Sequence, residues 1–291
     1  MPELPEVETI RRQLAPLVEG RVLERLEILD PRWCEPLGVS DVADAVEGRV
    51  IERLSRRGKY LVFGLADDVF LMVHLRMTGT LLYDPPADTP YQRVVFGVGD
   101  SHALRFCDPR RFGTGELALG TEARDAFFAA RIGIEPLGGE LTGPRLRALA
   151  QGRRAPVKAF LLDQRRVAGV GNIYADEALF RARIHPLRQA GALKPAQYEA
   201  LAEAVRDALT AGLARGGATI DDFRHADGVM GAFQHDFQIH LREGEPCIAC
   251  GREVVKFYVG GRGTYCCERC QVRPRRRARA GGPTGRPRRA P

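Results

Sequence analysis

Apolar positions near the start of the chain recur three and four residues apart. Val7, Ile10, Leu14, Leu17 and Val18 predict one amphipathic helix over residues 3 to about 19. From Val22 to about Leu119 the pattern changes to short apolar runs broken by Gly, Asp and Pro, among them RVIERLS, KYLVFGL, VFLMVHL, GTLLY, RVVFGVG and HALRF. Closely spaced runs of this length, rich in Val, Phe, Leu and Tyr, predict an antiparallel β-sandwich or barrel. The stretch IGIEPLGGELTGP (132–144) is dense in Gly and Pro and marks a linker. Helical spacing then returns in RLRALAQ, VKAFLLDQ, NIYADEALFRARI and PAQYEALAEAVRDALTAGLARGG. The last of these opens with Pro195 and closes on Gly216-Gly217, as helix termini commonly do.

The expected plan is a multidomain α+β protein. It has an N-terminal antiparallel β-sandwich with a flanking helix (1–131), a linker (132–151), a helical domain (152–236), a small cysteine module (237–271) and a basic tail (272–291).

Composition adds limits rather than detail. No apolar run approaches the roughly 20 residues that span a bilayer, so a membrane partner is not expected. The opening MPELPEVETI is polar and acidic, unlike a secretory signal, and the expected compartment is the cytoplasm. The net charge is +7, but the segment after Cys270 holds eight Arg and no acid; subtracting these eight leaves residues 1–270 at about −1. Any anion-binding face in the folded part must therefore come from local clustering. The tail has almost nothing to bury, so disorder and a salt-sensitive contact with a polyanion are expected of it.

Five of the seven cysteines fall within 24 residues. Without an export signal, such a cluster points to metal rather than disulfides. Cys247-x2-Cys250 and Cys267-x2-Cys270, separated by 16 residues, match a closed four-thiolate zinc site. A segment of about 30 residues cannot build a stable core, so one structural zinc ion would supply its folding energy. Cys266 offers a C-x3-C alternative, and Cys267 is preferred because it gives two symmetric knuckles. Between the knuckles, EVVKFYV and TYC predict a β-hairpin joined by Gly260-Gly261-Arg262-Gly263, with Arg262 at its tip.

The N-terminus carries a second candidate chemistry. Met-Pro is a good substrate for initiator-methionine removal, which leaves Pro2 as a free secondary amine. A terminal amine titrates near about 8, so a useful fraction is unprotonated at neutral pH. Attack on a sugar C1′ forms an iminium that labilises the neighbouring proton, and the adjacent Glu3 is placed to give and take protons.

Six motifs then occur in order: MPELPEVET, SRRGKYL (55–61), HLRMTG (74–79), DPRRFG (108–113), GVGNIYADEALF (169–180) and the GGRGT hairpin with its knuckles. Together they resemble the formamidopyrimidine-DNA (8-oxoguanine DNA) glycosylases over residues 1 to about 271. The resemblance implies a base-excision-repair glycosylase and abasic-site lyase acting as a monomer on damaged double-stranded DNA. Pro2 resembles the Schiff-base nucleophile, Glu3 the general acid, Lys59 the lysine of β-elimination, and Arg262 the finger arginine linked to phosphate binding and δ-elimination. Met77, Arg110 and Phe112 match residues that fill the gap left by an everted nucleotide. Arg93, Arg111, Arg154 and His74 match positions of DNA contact. Asn172 matches a phosphate ligand at the start of a helix-two-turns-helix element, and backbone N–H groups there also suit a phosphate.

Two features depart from the family pattern. Arg93 stands where a His is usual. GGATIDDF (216–223) carries the acidic pair Asp221-Asp222 where the family often has a basic residue, in a loop that covers the everted base in the family. Two other readings compete: an endonuclease VIII-like enzyme for oxidised pyrimidines, disfavoured by the LPEVET opening, and a zinc-finger DNA-binding protein without catalysis. The last needs neither Pro2, Glu3 nor Lys59.

Overall fold

A computed structural model of the protein describes residues 1–220 and 224–274. Asp221, Asp222 and most of the arginine tail lie outside the described residues.

Helix α1 (Leu4–Val18) precedes eight antiparallel strands: β1 (Val22–Ile28), β2 (Arg49–Arg57), β3 (Tyr60–Leu65), β4 (Val69–His74), β5 (Thr80–Tyr83), β6 (Gln92–Val98), β7 (His102–Cys107) and β8 (Thr114–Leu119). Their order is β5-β7-β6-β1-β2-β3-β4-β8. Strands β1 and β2 pair only through Val22↔Val50 and Leu23↔Arg49. The sheet folds there into two halves that face each other as a sandwich, and Phe63 of β3 stacks on Phe96 of β6 at 5.7 Å. Strand β6 alternates, burying Val94, Phe96 and Val98. Strand β4 is buried at every position. Its second face is covered by α3 (Thr121–Arg131), whose Phe128 packs with Phe70, Met72 and Tyr60. That double coverage explains why VFLMVHL reads as a continuous apolar run. The short α2 (Val39–Val46) lies inside the segment whose texture predicts strands, and α3 follows directly after it.

The segment expected as linker is more structured than its Gly and Pro content suggests. Helix α4 (Gly143–Ala150) occupies it, with Pro144 in its first turn and Thr142 accepting from the Arg145 N–H. Ile134, Leu141, Leu146 and Ala150 are buried in the helical core. That core is completed by α5 (Val157–Leu162), α6 (Asn172–Arg181) and α7 (Pro195–Ala214), around Tyr174 stacked on Phe233. The hairpin of β9 (Val255–Val259) and β10 (Arg262–Cys266) follows. Its turn is the pair Gly260-Gly261, both at positive φ as such a two-residue turn requires. Arg262 therefore opens β10, opposite Val259, rather than sitting in the turn.

One helix joins the two cores. Val7, Ile10, Leu14 and Val18 of α1 are buried in the sandwich, whereas Leu4 belongs to the helical core. The Leu4 N–H donates to the Gly169 carbonyl at 3.0 Å. A Cβ at Gly169 would lie 2.6 Å from the Leu4 side chain, and one at Gly171 would lie 2.3 Å from the Glu3 carboxyl carbon. The glycines of GVGN are thus there for close approach.

Gly171→Ala tests this. The backbone at Gly171 (φ −125°, ψ −158°) suits alanine, so only the collision with Glu3 opposes it. Displacing Glu3 leaves buried N–H groups unpaired, at about 1–3 kcal/mol each. A thermal melt should show a drop of several degrees, while Gly138→Ala, with nothing closer than 3.7 Å, leaves the midpoint unchanged.

Candidate active site and nucleic-acid cleft

The site is built where α1 starts. Pro2 and Glu3 are buried, and Glu3 is 2% exposed. Its carboxylate accepts from the Gly171 N–H at 2.7 Å and the Ile173 N–H at 3.0 Å, capping α6 from a distant part of the chain. The anion at this helix N-terminus is therefore Glu3. The Gly171 and Ile173 N–H groups, expected to suit a phosphate, are already taken. Glu6, one turn on, accepts from the Glu3 N–H (2.8 Å), the Tyr174 hydroxyl (2.7 Å) and the Ala218 N–H (2.7 Å). Burial, and then the nearby Glu3 charge, push the Glu6 carboxyl above its ordinary value.

Lys59 sits in the Gly58-Lys59 turn between β2 and β3 and is 4% exposed. That turn is fixed to the helical side by Glu135, which accepts from the Gly58 N–H and pairs with Arg56 at 3.1 Å. Burial pushes the Lys59 ammonium below its ordinary value; Glu3 and Glu6 oppose the shift, and Arg262 adds to it. An amine that loses its proton this readily is suited to base chemistry. Lys59 thus lies within the electrostatic reach of both ends of the site.

An open cleft of about 500 Å³ lies over this region, lined by Met1, Arg76, Met77, Arg111, Phe112 and Arg262 among others. Read without a partner, Met77 and Phe112 would be ordinary core residues. Instead Met77 is half-buried, and Phe112 is 50% exposed under the Arg110 guanidinium at 4.9 Å. The cause is Asp108, which is fully buried. Its carboxylate accepts from the Phe112 and Gly113 N–H groups (both 2.8 Å), the Arg110 N–H (3.2 Å) and the Thr78 hydroxyl. One carboxylate thus holds the Met77 loop beside the DPRRFG loop and turns their side chains outward. Sequence reasoning passed over Asp108, although an Asp followed by a Pro is a common device for organising a turn.

The remaining predicted contacts differ in availability. The Arg93 guanidinium donates to the Asp108 carbonyl at 2.9 Å, and Arg111 pairs with Asp30 at 2.6 Å. Arg111, with Arg32, holds the Asp30 carboxyl well below the usual range. Arg154 is exposed in the loop before α5. His74 is buried, with its ring against Tyr60 at 4.6 Å and Nδ1 accepting from the Arg76 N–H at 2.9 Å. It shapes the Arg76-Met77 turn.

Arg262 is placed by a network that the sequence reading missed. Asn172 Nδ2 donates to the Gly263 carbonyl at 3.0 Å. Lys158, fully buried, donates to the same carbonyl and to Thr264 Oγ1 (both 2.9 Å), and pairs with Asp176 at 2.8 Å. Asp176 also meets His240 Nδ1 at 2.9 Å, and the adjacent Glu177 accepts from the N–H groups of residues 238–240. Two acids inside the alanine-rich helix NIYADEALF were the available signal, since buried charges need partners.

The Sγ atoms of Cys247, Cys250, Cys267 and Cys270 all lie within 4.8 Å of one another. The Cys247–Cys270 and Cys250–Cys267 separations are 3.9 and 3.4 Å. Sulfurs about 2.3 Å from a tetrahedral zinc lie roughly 3.8 Å apart, so the set fits a metal ion. Cys266 is buried outside the cluster.

Models of the formamidopyrimidine-DNA glycosylase N-terminal domain and H2TH domain match residues 1–115 and 132–224. The chain belongs to the formamidopyrimidine-DNA glycosylase family. It is 44% identical over 290 residues to the formamidopyrimidine-DNA glycosylase of Symbiobacterium thermophilum, covering 97% of this chain and 94% of the relative. Its structure is similar to the crystal structure of the MutM (Fpg) protein of Thermus thermophilus, with a TM-score of 0.85, 42% identity, and 94% and 100% of the two chains covered. Lactococcus lactis Fpg in complex with abasic-site DNA superposes with a TM-score of 0.85 at 34% identity, covering 93% and 100%. Among the described residues, no helix of this family member is long and apolar enough to cross a membrane.

The buried His74 gives a pH prediction. Burial, reinforced by Arg76 and Lys59, lowers its pKa from 6.5 to about 3. A base depressed on folding contributes stability that is complete above its unfolded value and is lost as pH falls from about 6.5 towards 3. Urea unfolding across this range should show a shallower loss for His74→Asn, whose side-chain carbonyl can still accept from Arg76. Parallel curves for the two proteins would contradict the assignment.

Proposed function

We propose that the protein is a base-excision-repair DNA glycosylase and abasic-site lyase. It removes 8-oxoguanine and formamidopyrimidines from double-stranded DNA as a monomer acting in the cytoplasm. What carries this reading is a cleft lined by Met1 and the finger Arg262, with the buried Pro2-Glu3 terminus adjoining Met1 and a desolvated Lys59 within the electrostatic reach of Glu3 and Arg262. A buried lysine beside the Glu3 and Glu6 charges, next to an open cleft, is the arrangement expected of a reactive site rather than of a plain binding face.

Removal of Met1 leaves Pro2 as a secondary amine. Its nitrogen attacks C1′ of the everted nucleotide, the glycosidic bond breaks, and the base leaves, taking a proton from water. Glu3 accepts the proton shed by the Pro2 nitrogen and passes it to the ring oxygen as the sugar opens, giving an iminium. The iminium draws electrons from the C2′–H bond. Lys59, as the neutral amine, takes that proton and the C3′–O bond breaks. Loss of the C4′ proton and of the 5′ phosphate follows, with Arg262 binding phosphate, and hydrolysis then frees Pro2 at a one-nucleotide gap.

Met77, Arg110 and Phe112 fill the space left by the nucleotide, offsetting part of the few kcal/mol that eversion costs. Asn172, Arg93, Arg111, Arg154 and His74 line the path of the strand, with Arg93, Arg111 and His74 also holding the loops they sit in. Cys247, Cys250, Cys267 and Cys270 would hold a zinc ion, which would supply folding energy to the finger and, bound by four thiolates, would have no open position for chemistry.

The test compares the native-start protein with one carrying an uncleavable N-terminal extension, on duplex DNA with 8-oxoguanine opposite cytosine. The native start should release the base and leave a one-nucleotide gap, and the extension should abolish strand cleavage. Equal cleavage by both proteins would exclude the amine mechanism. Preferential release of an oxidised pyrimidine would reassign the substrate.

A further inference from the structure

In the segment 216–233, residues 216–220 follow the end of α7, and residues 231–233 lie back against them. The contact is made by Phe233 N–H to Gly217 O (2.9 Å), Ala232 N–H to Arg215 O (3.0 Å) and Gly231 N–H to Thr219 Oγ1 (2.9 Å). Residues 225–229 form a compact turn. The His225 N–H donates to Val229 O, Gly228 N–H to His225 O, and Val229 N–H to Asp227 Oδ1. This turn is attached to the other domain. Ala226 is 3% exposed inside the sandwich core, and its carbonyl accepts from the Tyr83 N–H at the end of β5 (2.9 Å).

The attachment is completed by Gln13 of α1. Its Oε1 accepts from the Ala226 N–H, and its Nε2 donates to Asp227 Oδ2, both at 3.0 Å. One side chain therefore grips both the backbone and the side chain of the turn. Glu6, seven residues earlier on the same face of α1, holds the opposite end of the segment through Ala218 at 2.7 Å. The helix that presents Pro2 and Glu3 thus fixes the segment at two points beside the site.

We propose that Gln13 is a positioning residue for excision of the damaged base. It sets the turn 225–229, and with it the described flanks of the segment, relative to the amine site. The proposal rests on the glycosylase reading above. It predicts a dependence on the base: an intact lesion must be held against these flanks while Pro2 attacks, whereas an abasic site has no base to hold.

The experiment measures single-turnover rates on duplexes with 8-oxoguanine and with a preformed abasic site. It also follows hydrogen exchange at the Ala226 and Val229 amides. Gln13→Ala loses two hydrogen bonds, and base excision should fall roughly tenfold. Abasic-site cleavage should stay within about twofold of the native rate. Exchange at the two amides should quicken. Gln13→Glu combined with Asp227→Asn should restore excision, because the carboxylate can accept from both the Ala226 amide and the new side-chain amide. Equal loss on both substrates, unchanged excision, or unchanged exchange would each overturn the proposal. Inactivity of the native protein on both duplexes would overturn the glycosylase reading itself, and so is distinguishable from a failure confined to the variant.

Discussion

The structure depends on a carboxylate that begins one helix's sequence and caps another. Glu3, only 2% exposed, accepts from the Gly171 and Ile173 N–H groups at the start of α6. A negative charge at a helix N-terminus is favourable by itself, by up to about 2 kcal/mol when partly buried. The larger constraint is that the two N–H groups have no other partner if Glu3 withdraws. Gly169 and Gly171 exist at this contact because any Cβ would collide with Leu4 or Glu3. Pro2, one residue away, is therefore located by the helical core as much as by the sandwich.

Two further carboxylates act in the same way. Asp108 gathers the N–H groups of its own loop and the Thr78 hydroxyl, so that Phe112 projects into the cleft despite the cost of exposing a large apolar ring. Asp176 anchors Lys158 and His240, and through Lys158 it fixes the Gly263 carbonyl beside Arg262. The loop that carries Phe112 and the hairpin edge that carries Arg262 are thus each fixed by a buried acid. Loops held this way present groups to a partner without flexing away from it.

Much of this was legible in the sequence, for identifiable reasons. The period of α1, the alternation of β6 and the continuous run of β4 follow from one-sided or two-sided burial, which composition encodes directly. The four clustered cysteines were readable because metal ligands need fixed spacing. Pro2, Glu3, Lys59 and Arg262 were singled out through motif order rather than through local pattern. Taken alone, Lys59 looks like a solvated turn charge, and only tertiary packing buries it. The body of α4 was legible as RLRALAQ, but its start was hidden by Gly143 and Pro144, residues that break structure in isolation but here open a helix. Lys158, Asp176 and Glu177 were missed because their partners are distant in sequence, and a buried charge reveals itself only through those partners. Gln13 was missed for the same reason. Asp108, whose backbone partners lie in its own loop, was open to reading as an Asp-Pro turn.

The central claim is that the buried N-terminus supplies the nucleophile, and one measurement bears on it most directly. The native-start protein is mixed with duplex DNA containing 8-oxoguanine opposite cytosine, borohydride is added, and the cross-linked peptide is located by mass spectrometry. The account predicts a reduced adduct on Pro2 that is absent when the N-terminus is blocked. An adduct on Lys59, or none while the duplex remains bound, would contradict it.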